Sequence, residues 1–73
     1  MTDEEKISFI EVTIGTDEGT LKKETELKSV DNWDSIGKLF MMSAIQKEFG
    51  RAIQPDVVRG FQNVGEIMGE LHE

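Results

Sequence analysis

The chain has 73 residues, no Cys, one His and a formal charge of -7 from fifteen acidic and eight basic side chains. That length holds one small domain, residues 1–73, which buries only about 60% of its unfolded surface and draws about 3–5 kcal/mol from its core. Disulfides and thiolate metal sites are excluded, the acidic surface repels nucleic-acid phosphates and anionic membranes, and a single His beside the C-terminus makes an enzyme a poor expectation.

Ile7, Ile10 and Ile14 recur at helical spacing, Asp3, Glu4 and Glu5 suit a helix start, and Gly15 is a natural stop. The stretch is also rich in β-branched residues, so a strand is the fallback. From Thr16 to Trp33 no period persists, and loop-forming residues separate four lone apolar side chains, Leu21, Leu27, Val30 and Trp33. Those side chains read as pegs that tie an ordered connection to the core.

Asp34-Ser35 opens the strongest helix, which runs to Phe49 with Gly50 as its stop. At about 100° per residue, Met41, Met42, Ile45 and Phe49 share one arc, and Ile36, Leu39 and Phe40 share the opposite one. One arc builds the core. The other is either covered by the Thr16–Trp33 connection or left open for a partner. Pro55-Asp56 starts a short third helix through Val58, ended by Gly60. Asn63 and Glu66 form a capping-box pattern, and Val64, Ile67, Met68 and Leu71 carry a helical stripe to the end of the chain. Gly65 and Gly69 within it cost roughly 1 kcal/mol each relative to Ala. The expectation is all-α, with three main helices and one short third helix.

No metal site is expected, since Asp31-Asn32-Trp33-Asp34 puts Trp where a calcium loop needs oxygen and Asp17-Glu18-Gly19 lacks a later acidic partner. The longest apolar run, Leu39 to Met42, is far too short for a membrane span. The Met-Thr-Asp-Glu-Glu opening lacks the basic start of a secretory signal, so the expected location is the cytoplasm. Nothing reads as a coiled-coil seam, and a monomer is expected.

Trp33-Asp34-Ser35-Ile36, a long helix closing in Glu48-Phe49-Gly50, then Ile53, Phe61 and Asn63-Val64, together resemble the acyl and peptidyl carrier protein family. The resemblance covers essentially the whole chain. Asp-Ser alone is a weak motif, and joined to the downstream positions it is fairly specific. It implies a small four-helix bundle of acyl-carrier type, with Ser35 as the attachment point for 4'-phosphopantetheine drawn from coenzyme A. Asp34 would help a phosphopantetheinyl transferase recognise the serine. Acyl-loading and acyl-processing enzymes would dock over Ile36, Leu39 and Phe40, with Lys38 and Ser43 on the same helix.

On local sequence alone, Asp34 and Ser35 are both also good helix caps. The chain departs from carriers of housekeeping fatty acid synthesis, whose second helix is acidic. Residues 36 to 51 hold Lys38, Lys47 and Arg51 against Glu48 alone, and Phe40 stands where those carriers would have an acid. A specialised lipid or polyketide pathway is therefore expected. The alternative is an unmodified helical adaptor that binds one protein through the Ile36/Leu39/Phe40 face. Met41, Met42 and Met68 read as core, and Gly37 as either a close-approach position or ordinary helix slack.

Overall fold

Helix α1 (Asp3–Ile14) forms because both of its ends are capped. Thr2 Oγ1 accepts from the Glu5 N–H at 3.1 Å, while Glu5 Oε1 accepts from the Thr2 N–H at 2.8 Å. The bond from the Thr2 backbone is the chief reason that the Glu5 carboxyl is held below its ordinary pKa, followed by the Thr2 hydroxyl. At the other end Gly15 turns left-handed (φ 77°), and the Thr16 N–H reaches back to the Glu11 carbonyl at 3.0 Å. With the end groups satisfied and Ile10 and Ile14 buried, helix wins over strand in this β-branched stretch.

The computed structural model describes residues 1–73 and adds α2 (Ser35–Phe49), α3 (Pro55–Arg59), α4 (Val64–Met68) and a 3-10 turn at Leu27–Ser29. The chain is a small all-α fold in which α1 packs on α2 and α4, and α2 packs on α3. Ile10 and Ile14 of α1 meet Met41 and Ile45 of α2 and Val64, Ile67 and Met68 of α4, with Leu21, Leu27 and Leu71 completing the core. Phe9 and Phe49 seal one end, with ring centroids 5.9 Å apart and rings nearly perpendicular. No helix is long and apolar enough to cross a membrane.

The Thr16–Trp33 connection is an ordered strap. Leu21 and Leu27 are buried, and Val30 and Trp33 pack partly against the core. Its backbone is stitched to the start of α4 through Gly65 N–H to Lys23 C=O at 2.8 Å, Val64 N–H to Thr25 C=O at 3.0 Å and Leu27 N–H to Gln62 C=O at 2.9 Å. Its outer turn is held by Glu11, a buried carboxylate that sequence reading missed. Glu11 Oε2 accepts from the Gly19 and Leu21 N–H groups, both at 3.0 Å.

Two expectations are corrected. The last helix does not run to the end of the chain, because α4 stops at Met68 and tighter i,i+3 bonds carry Glu70 and Leu71 onward. Gly65 and Gly69 lower the helical preference of this segment, and Leu71 reaches the core from a turn instead. The architecture is thus two long and two short helices rather than three main helices and one short one. The capping box is also shifted: Asn63 Oδ1 accepts from the Glu66 N–H at 2.9 Å as expected, but Glu66 Oε1 accepts from the Gln62 N–H at 2.6 Å, one residue upstream.

Candidate functional site

The start of α2 assigns different tasks to two neighbouring residues. Asp34 is the N-cap, with extended backbone and its Oδ1 accepting from the Gly37 N–H at 2.8 Å. Ser35 is the first helical residue, exposed, and its hydroxyl makes no hydrogen bond within the chain. The capping alternative for Ser35 therefore does not hold: Asp34 caps, and Ser35 is left with a free Oγ.

Gly37, one turn into α2, is buried against the backbone carbonyl of Asn32, so closely that a Cβ at this position would collide with it. The close approach is made by the chain's own strap. Asn32 in turn donates from Nδ2 to the Gly15 carbonyl at 2.9 Å, so one residue joins the end of α1 to the start of α2. The base of the Ser35 turn is thus tied to the strap and to the end of α1.

Ile36, Leu39 and Phe40 remain 60%, 62% and 54% exposed. The strap does not cover them, since it runs beside Gly37 and across to α4. Ser43 is exposed and falls on the same arc of α2, so four of the expected docking residues form one surface beside Ser35. Lys38 departs from that surface. It is half-buried and turns toward α3, where it lines a hollow of about 290 Å³ with Ser35, Leu39, Met42, Pro55, Val58 and Arg59. Met42 is accordingly a half-buried wall of this hollow and not a full core residue. Arg59 was not legible as a neighbour of Ser35, because nothing in the sequence fixes how α3 crosses α2.

The positive balance of α2 is smaller at the surface than its residue count suggests. Arg51 donates to the Glu70 carbonyl at 2.6 Å and pairs with the Glu70 carboxylate at 2.8 Å, tying the end of α2 to the C-terminal turn. Lys38 and Lys47 are in no ion pair, and Arg59 pairs with Asp56 one turn earlier in α3. No cluster of three or more His, Asp or Glu side chains is placed to hold a metal ion. Comparison with family models, with curated proteins and with solved structures finds no match to this chain.

Proposed function

We propose that the chain is an acyl carrier whose working group is a 4'-phosphopantetheine arm on Ser35. One observation carries the reading: Asp34 caps the start of α2, leaving an exposed, unbonded serine hydroxyl beside an open apolar face. A serine kept only for the fold would be expected to use its oxygen as a cap. The order of elements also suits a four-helix bundle of acyl-carrier type. Two long helices are joined by an ordered strap, and a short helix follows before the last.

For attachment, Ser35 Oγ attacks the β-phosphorus of coenzyme A. The pyrophosphate P–O bond breaks, adenosine 3',5'-bisphosphate departs, and the hydroxyl proton passes to a base on the transferase. The arm supplies a thiol, which the chain itself lacks, and so allows cargo to be held as a thioester. The chain contributes position through the turn from Asn32 to Gly37, and recognition through Ile36, Leu39, Phe40 and Ser43. Its partners are a phosphopantetheinyl transferase and acyl-loading and acyl-processing enzymes of a specialised lipid or polyketide pathway, and its setting is the cytoplasm.

The test is intact mass after incubation with coenzyme A and a promiscuous phosphopantetheinyl transferase. Wild type gains one arm and Ser35→Ala gains none. A folded wild type that gains no arm from several transferases supports instead an unmodified adaptor acting through the same apolar face.

A further inference from the structure

The hollow beside Ser35 is lined by two cations and no carboxylate, in a chain whose acids outnumber its bases fifteen to eight. Lys38 stands three residues after Ser35, and residues so spaced on a helix have Cβ atoms about 5–6 Å apart. Its half-buried side chain has no ion-pair partner. Arg59 faces it from the last residue of α3. Its Nη2 contacts Asp56, and a guanidinium has five N–H donors, so others stay available for a second acceptor. Besides Asp56, the carboxylates near the pair are Asp34, whose Oδ1 is engaged by the Gly37 N–H, and Glu26, which lines the adjoining hollow with Lys38 and Arg59 but pairs with Lys28.

We propose that Lys38 and Arg59 form an anion site for the phosphodiester that joins the arm to Ser35, an inference that rests on the carrier reading. The diester phosphorus is one bond from Ser35 Oγ and brings a permanent negative charge to an already acidic chain. Placed between these two cations, that charge is neutralised where it arises. The first turn of α2 adds its own positive end. The pairing also sets direction. It draws the root of the arm toward α3, along the Leu39 edge of the apolar face, and leaves Ile36 and Phe40 uncovered for a partner enzyme.

The experiment compares apo and arm-bearing forms of wild type, the Lys38→Ala/Arg59→Ala double variant, the single variant Lys38→Gln and a Lys47→Ala control. Thermal midpoints and the ³¹P resonance of the diester are measured at low salt and at about 1 M salt, where the Debye length falls to about 3 Å. At low salt the arm raises the wild-type midpoint by about 2–4 °C, as expected for an anion stabilised at a helix start in a domain of this size. The gain persists in Lys47→Ala, shrinks in Lys38→Gln and is lost in the double variant and at high salt. The ³¹P resonance moves between wild type and the double variant. Each apo form is its own baseline, so a general loss of stability does not imitate the result. If the arm attaches but the gain and the ³¹P shift are the same in the double variant, the anion site is overturned and the carrier reading stands. If no arm attaches to folded wild type, both fall.

Discussion

The Glu11 carboxylate accepts a buried hydrogen bond from the Leu21 N–H at 3.0 Å, across ten residues of chain. The same oxygen takes the Gly19 N–H, so one side chain of α1 closes the first half of the strap that leads to the start of α2. Leaving the buried Leu21 donor without a partner costs about 1–3 kcal/mol, against a core worth about 3–5 kcal/mol. Glu11→Ala should therefore unfold at clearly lower urea than wild type. Glu11→Gln, which keeps an acceptor oxygen, should lose about half as much. Two variants within about 0.5 kcal/mol of wild type would mean that Leu21 burial alone holds the strap.

Gly37 offers a test by sign. In an unconstrained helix interior, Ala is favoured over Gly by about 1 kcal/mol. Here an added Cβ meets the Asn32 carbonyl, so Gly37→Ala should destabilise by about 1–3 kcal/mol through displacement of the strap. Gly69→Ala is the contrast, because its Cβ would meet only ordinary contacts at 3.5 Å or more and its φ is -63°. That variant should be neutral or slightly more stable. Denaturant midpoints for the pair decide the matter, and a stabilising Gly37→Ala would refute the close packing.

Asp34 caps α2, and two substitutions separate that task from the proposed one in transferase recognition. Ala removes the cap on the Gly37 N–H and should cost about 0.5–2 kcal/mol. Asn keeps an oxygen in the same place and should leave stability near that of wild type. If the transferase reads the negative charge as well, Asp34→Asn will be folded yet modified several-fold more slowly. Initial rates of arm attachment measure this directly, and equal rates would confine Asp34 to capping.

Much of this arrangement is legible in the sequence because it is local. The Asp34-Ser35 start, the Gly50 stop and the division of α2 into two apolar arcs all follow from composition and a helical period. The Thr2–Glu5 box carries its own signature, a threonine followed three residues later by glutamate, which the reading of Asp3, Glu4 and Glu5 as the helix start passes over. What was not legible depends on how elements cross. Glu11 is a lone charge between Ile10 and Val12 in the sequence, and only the fold shows that the strap returns over it. Arg59 and Lys38 come together because α3 lies across α2, and Arg51 is paired and half-buried because the C-terminal turn brings Glu70 onto it. The shortness of α4 had a visible cause in Gly65 and Gly69, yet the burial of Leu71 made a longer helix the simpler reading.

Phe40 tests what the open face discriminates. It is more than half exposed, and replacing it should change stability by no more than about 0.5 kcal/mol. Its effect should fall on partner choice. On the carrier reading, a second helix that offers Phe40 and Lys47 presents little negative charge to a basic docking surface, and charge complementarity governs how fast such partners meet. The arm-bearing wild type should therefore be malonylated by a housekeeping fatty acid synthesis transferase far more slowly than that system's own carrier. Phe40→Glu should raise the rate several-fold, with the increase fading as salt is added. Combining it with Lys47→Glu should raise it further, because both changes remove a mismatch with the same basic surface. Wild type acylated as fast as the native carrier would show that this face does not select its partners. A Phe40→Glu variant that is folded, armed and no faster would place selection elsewhere on the chain.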